Sequence, residues 1–344
     1  ADRFFQESIA LIMEENDLEL PSDETRREVI IGPDGIFFHL AHLPQYQSFH
    51  NGLLNMAVIW IDHLLWLKEY KDAANILNGV CFSLARRGQR KMAENLLALV
   101  ASKNNGLSAI AAEINLATLL REEHQISKAL QLYWRLIPKI IYNRGFFQLA
   151  QTLTEIAAIY RQQGKLGLSA LFLELSIFMH TCLKTKYRAG IAHSQLASTY
   201  RYLKLYPLAL RNSQKAVNNF RKSHDLLNLG RSLLTQGNIY YNRLESEQAF
   251  KCLNEAYEIG VRISDSATEI GALSGKARVF LSLGMADNAQ SMLTEAIRQR
   301  ERRNDHNVCI EFQNMGAVYE KKGILLKLWV GTRRLWNSSK YICL

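Results

Sequence analysis

Residues 195–216 read QLASTYRYLKLYPLALRNSQKA, and the spacing inside this stretch decides the fold. Ala197 is followed three residues later by Tyr200, twelve residues later by Ala209, and after seven more by Ala216. Working outward, the first element recurs every 40 residues, at 116–120, 156–160, 196–200, 236–240 and 276–280, and again after 39 at 315–319. Its small residue is Ala117, Ala157, Ala197, Gly237, Ala277 and Gly316, and the large residue three beyond is Leu120, Tyr160, Tyr200, Tyr240, Phe280 and Tyr319. A second small column runs Ala129, Ser169, Ala209, Ala249, Ala289, and a third Leu136, Ser176, Ala216, Ala256, Ala296.

Two antiparallel helices approach closely only where small side chains face each other, and a bulky residue then fills the space beside the crossing. Short breakers such as Gln163-Gly164-Lys165, Lys204-Leu205-Tyr206-Pro207 and Leu283-Gly284-Met285 separate the columns and end one helix before the next begins. These residues resemble the tetratricopeptide repeat, whose signature pairs small residues with an aromatic at such offsets. An earlier unit, Cys81, Leu84, Gly88, Ala93, Leu97 and Val100, keeps the offsets more loosely, and the resemblance spans roughly residues 70–323. The period exceeds the roughly 34 residues common in the family and implies longer helices. It is similar to the subgroup of Pins/LGN-type adaptors, kinesin light chains, Rap-type peptide sensors and MalT-like regulators. The implied fold is all-α, a right-handed superhelical solenoid of antiparallel helix pairs.

Composition agrees with a folded helical chain: of 344 residues, 48% are apolar, 22% are charged and only five are proline. Cys81, Cys182, Cys252, Cys309 and Cys343 are odd in number, far apart and without a CxxC pair, which predicts neither a disulfide framework nor a thiolate zinc site and points to the cytoplasm. The most apolar stretch, 53–66, is interrupted by Asn55, Asp62 and His63 and falls short of the about 18 residues needed to cross a bilayer. The chain starts at Ala1 with no basic region leading into an apolar core, so a piece of a longer protein is expected rather than a secretory precursor. The net charge of +10 favours acidic partners, but Lys and Arg are spread along the whole chain and do not predict nucleic acid.

The ends depart from the period. Residues 1–50 form a non-repeat segment with an acidic amphipathic helix over 4–16 and a turn at Gly32-Pro33-Asp34-Gly35. The repeat superhelix is placed at 51–323, led by a buried capping helix over 53–69, since the open end of a solenoid must be covered. Residues 324–344 lose the small residue expected near Leu328 and read as a divergent, basic, Trp-containing tail or cap. His39 and His42 have HxxH spacing, with His50 and His63 nearby, but lack the glutamate of a zinc-binding helix; no metal or other cofactor is predicted. Ser274-Gly275-Lys276 lacks the earlier glycine of a phosphate-binding loop and falls inside a repeat helix.

Because no catalytic constellation stands out, a non-catalytic scaffold or adaptor is expected, holding a protein or peptide segment in the concave groove. The alternative is a peptide-sensing regulatory domain of a larger signalling or transcription regulator. In the resembled family the groove is lined by first-helix positions near the small residue. Four beyond it the repeats place Arg121, Arg161, Arg201 and then Tyr241, which predicts an arginine ladder for an acidic partner. Asn115 and Gln195 lie two before the small residue and Asn238 one after, completing the predicted partner-binding set. The competing reading pairs these arginines with Glu122, Glu123 or Glu155. Thr154 and Ala158 stand where the chaperone-binding clamp of the family has Lys and Asn, so chaperone C-termini are not expected ligands.

Overall fold

The computed structural model describes residues 47–302 and 309–322. It is all-α, with no strand among the described residues, and divides into two compact units, Ala1–Asp225 and Leu226–Leu344. The first unit contains α1 (Gln47–Trp66), α2 (Tyr70–Leu84), α3 (Arg90–Lys103), α4 (Leu107–Glu122), α5 (Ile126–Tyr142), α6 (Phe146–Gln162), α7 (Leu166–Cys182), α8 (Lys186–Tyr202) and α9 (Tyr206–Lys222). The second contains α10 (Leu226–Asn242), α11 (Ser246–Arg262), α12 (Ser266–Ser282), α13 (Ala286–Arg302) and α14 (Cys309–Lys321).

From α5 to α13 every helix is 17 residues long. The 40-residue period is therefore two such helices plus two three-residue connections, and connections this short make sequential helices antiparallel neighbours. The stop signal is a backbone device. At the end of α4 the Gln125 N–H donates to the Leu120 carbonyl at 3.0 Å and the His124 N–H to the Arg121 carbonyl at 3.1 Å, which closes the last turn as a Schellman motif. The same pair of bonds recurs at each helix end through α12, where Met285 donates to Phe280 at 2.9 Å. The motif needs a residue at positive φ, and one occurs every twenty positions: His124, Arg144, Gly164, Lys184, Lys204, His224, Leu244, Ser264 and Gly284.

The small columns form the seams between helices. Ala117, Ala157, Ala197 and Ala277 are fully buried, as are Ala129, Ala209, Ala249 and Ala289 of the second column. Where serine replaces alanine its hydroxyl is satisfied: Ser176 Oγ donates to the Ala150 carbonyl at 2.8 Å, and Ser169 Oγ lies 3.4 Å from Thr199 Oγ1. The large column packs beside the seam, with Tyr160 stacked on Phe172 at 5.6 Å and Phe280 edge-on to Phe250 at 5.4 Å. Cys81, Ala93, Leu97 and Val100 join one core with α1, so the looser early unit packs as the others do.

Some features differ from the sequence expectation. The leading helix is buried only on one side: Leu54, Ala57, Ile61 and Leu64 face the core, whereas Met56, Ile59 and Trp60 are exposed, because apolar residues surround this helix and only one face meets α2. Gly316 is exposed although it continues the first small column, and the segment near Leu328, where its facing helix is expected, lies outside the described residues. So do the helix expected over 4–16, the turn at 32–35 and the tail 324–344. No described helix is long and apolar enough to cross a membrane.

Candidate partner-binding face

The predicted ladder residues sit at the penultimate position of α4, α6 and α8. A cation there is favoured by the carbonyl-rich end of the helix whether or not it binds anything. Their surroundings separate them. Arg121 Nη2 lies 3.2 Å from Glu155 Oε2, a residue of α6, the first helix of the next repeat. That carboxylate holds the Arg121 guanidinium above its usual value despite burial. Glu122 and Glu123, the other acids nearby, are engaged by Arg90 at 3.1 and 3.8 Å.

One repeat on, the corresponding interaction is different. Arg161 Nη1 reaches Ser198 Oγ of α8 at 3.5 Å, and the place equivalent to Glu155 is taken by Gln195. No carboxylate of the described residues pairs with Arg161 or Arg201. Burial pushes the Arg161 guanidinium down; the Tyr202 hydroxyl opposes this, and Arg121 and Arg201 reinforce it. The Nε atoms of Arg161 and Arg201 and the Oε1 atom of Gln195 are buried without a hydrogen-bond partner among the described residues. Tyr202, 55% exposed, lies beneath Arg201, whose Cζ is 4.3 Å from the ring centre.

The remaining predicted residues distribute as follows. Asn115 does not reach the face: it is buried and its Nδ2 donates to Asn78 Oδ1 at 3.0 Å, joining α4 to α2. Asn238 and Tyr241, both in the second unit, come together around Arg278 of α12, which donates to Asn238 Oδ1 and lies with its Cζ 5.0 Å from the Tyr241 ring. Thr154 is turned inward, its hydroxyl 2.7 Å from Ser176 Oγ. The sequence reading passed over Ser198, Tyr202 and Arg278; the columns one and five beyond the small residue contain them. The three arginines differ in what they meet. Because Arg121 is paired with Glu155, a glutamate at 121 would set two carboxylates together and cost stability.

Other motifs are absorbed by packing. Gly275 lies within α12, where a Cβ would come 2.7 Å from Leu253 Cδ2, and Ser274 Oγ donates to Glu311 Oε1 at 2.8 Å. Lys276 sits 5.3 and 5.1 Å from the Phe250 and Tyr257 ring centres, and burial pushes its ammonium down. His63 lies between Trp60 and Trp66 at 5.5 and 6.1 Å, while His39 and His42 are outside the described residues.

Residues 188–260 match the family model described as tetratricopeptide repeat. No curated protein matches the chain. Among solved structures, a Rap protein complexed with competence and sporulation factor is 12% identical, with TM-score 0.57 over 83% of this chain and 88% of that one. The apo form of the quorum sensor NprR from B. thuringiensis is 13% identical, with TM-score 0.57 over 86% and 82%. A signal transduction ATPase with a tetratricopeptide repeat sensor from Pyrococcus horikoshii is 17% identical, with TM-score 0.58 over 84% of this chain and 47% of that one. At these identities the likeness establishes the fold.

Proposed function

We propose that this chain, an all-α repeat array whose residues 188–260 match the tetratricopeptide repeat, is a non-catalytic interaction scaffold whose first-helix face holds an acidic segment of a partner protein. The observation that supports this most is the pair Arg161 and Arg201: two half-buried guanidiniums on neighbouring first helices, with Arg201 among the groups that disfavour the Arg161 charge and with no acid of the described residues to pair with either. Bringing a partner carboxylate against them adds charge-assisted hydrogen bonds where the cations are already partly desolvated. Arg121 contributes to the local field but is tied to Glu155. Action in the cytoplasm belongs to the same proposal. A second reading, a peptide-sensing regulatory domain, has the fold shared with the Rap protein and NprR as its support.

The test is a titration of the native partner, recovered by pulldown, against wild type and an Arg161→Glu, Arg201→Glu double variant at two salt concentrations. Each contact of this kind contributes on the order of 1 to 3 kcal/mol, so binding by the double variant should be abolished. Wild-type affinity should fall as salt rises. Equal affinities with both proteins folded would place the binding surface elsewhere. If cell-derived peptides, rather than a protein, saturate the same face and change amide exchange beyond it, the sensing role is favoured.

A further inference from the structure

The repeat performs a comparison within one molecule. At adjacent, equivalent places it presents an arginine closed by an internal acid, Arg121 with Glu155 at 3.2 Å, and an arginine that meets the Ser198 hydroxyl at 3.5 Å, Arg161, with Gln195 on the same helix as Ser198 at the position equivalent to Glu155. We propose that Arg161, Gln195 and Ser198 form a subsite for a single carboxylate side chain of an extended peptide, with Gln195 as the residue that keeps it open to ligand. The inference rests on the reading of this face as one that holds an acidic segment, and narrows it to one rung of the ladder.

The chemistry of the three groups selects the ligand. Arg161 brings a fork of N–H donors, of which Nε is buried and without a partner among the described residues, and Ser198 contributes a hydroxyl 3.5 Å from Nη1. A carboxylate matches such a fork with two parallel acceptors. Gln195 Oε1, also buried and without a partner, requires a donor. A peptide supplies one in the backbone N–H beside its acidic side chain, so a single acidic residue satisfies both unmatched atoms. Tyr202, beneath Arg201, gives an exposed ring against which the stem of the acidic residue can pack.

The selectivity has a simple control in the sequence itself. Gln195→Glu would repeat on α8 the acid that α6 has at 155, closing Arg161 as Arg121 is closed. The experiment measures binding of three fluorescein-labelled peptides, alternating Glu–Ala, Gln–Ala and phosphoserine–Ala, by anisotropy. The proteins are wild type, Arg161→Gln, Gln195→Glu, the charge-neutral pair Arg121→Gln with Glu155→Gln, and Lys128→Gln on the second helix of the repeat. Lys128→Gln lowers the net charge by one unit, as Gln195→Glu does, and so controls for general attraction.

Wild type should bind the Glu–Ala peptide more tightly than Gln–Ala, and phosphoserine–Ala no more tightly than Glu–Ala. Arg161→Gln and Gln195→Glu should each weaken binding about tenfold, the loss expected for one charge-assisted contact of about 1.4 kcal/mol. The Arg121 and Glu155 pair variant and Lys128→Gln should stay within about twofold, the size of screened surface effects. Gln195→Glu should also melt higher than wild type at low salt, with the gain lost at high salt, because the new carboxylate pairs with Arg161. If Arg161→Glu with Arg201→Glu abolishes binding while Gln195→Glu binds as wild type does, the subsite is wrong and the acidic-face reading stands. If wild type does not distinguish Glu–Ala from Gln–Ala, both fall. Tighter binding of phosphoserine–Ala than of Glu–Ala overturns the carboxylate assignment.

Discussion

Leu244 shows how little side-chain identity matters where the backbone dictates conformation. It holds φ at +64° in the connection after α10 and is 84% exposed, so it has the strain of the left-handed region and almost no packing in return. Leu244→Gly should stabilise the protein by about 0.5 to 1 kcal/mol, the relief of strain exceeding the added freedom of the unfolded chain; a lower denaturant midpoint for the variant would refute this. His180 is the opposite case, a polar side chain fixed by its surroundings. It is buried in α7, its Nδ1 is 2.8 Å from Thr185 Oγ1, and the Thr185 hydroxyl itself lies 3.2 Å from the His180 carbonyl. Burial, reinforced by Arg188, pushes the imidazole down to about 4. Since the folded value lies below the unfolded one, the unfolded chain binds the proton first. Stability from neutral His180 is therefore complete above about pH 6.5 and is lost as pH falls toward 4, by about 3 kcal/mol at most. His180→Gln should flatten the dependence of the denaturation midpoint on pH in that window.

At the scale of the helix pair, the seam between α10, α11 and α12 is set by a single wedge. Leu253 of α11 is fully buried, and a Cβ on Gly237 or Gly275 would come 2.8 or 2.7 Å from its side chain. Glycine costs each helix about 1 kcal/mol of propensity relative to alanine, so its presence at both sites reflects close approach. Gly275→Ala should therefore destabilise the protein by about 1 to 3 kcal/mol despite the better helix former. Leu253→Ala in that background should cost less than it does alone, because the methyl occupies part of the space the leucine leaves. Additive losses in the double-mutant cycle would show that the two side chains do not compete for one volume. The far end of the same unit is tied differently: Arg300 Nε of α13 lies 3.1 Å from Glu311 Oε2 of α14, and Ser274 bonds the other oxygen.

Within each unit, the principal helix contacts join each helix to the next or the next but one along the chain. Energetics of this kind sum nearest-neighbour terms, so a local defect spreads only a short distance. Gly275→Ala should speed amide exchange in α10 to α13 and leave protection in α4 to α7 unchanged, as read by mass spectrometry of the exchanged peptides. A uniform loss of protection would mean that the chain unfolds as one cooperative body. The net charge of +10 acts at this scale too, as a field that favours the approach of anions before any contact forms.

The helical solenoid was legible in the sequence because its physical requirement is periodic: a seam needs a small residue at every crossing, and Ala117, Ala157, Ala197 and Ala277 meet that requirement in full burial. The helix ends were only partly legible. Gly164 and Gly284 announce their turns, but His124, Arg144, Lys184 and Leu244 adopt the same positive φ without any residue signal, since bonds in the preceding turn impose it. The candidate face was the least legible, because a column of identical residues says nothing about what each one meets across to the next repeat. Sequence made Arg121, Arg161 and Arg201 equivalent and set Asn115 beside them; tertiary structure closed Arg121 with Glu155, drew Asn115 to Asn78, and gave Arg161 only the Ser198 hydroxyl. The repeat fixes where a side chain starts, but its partner comes from a different turn of chain, and only packing determines whether a charge is matched.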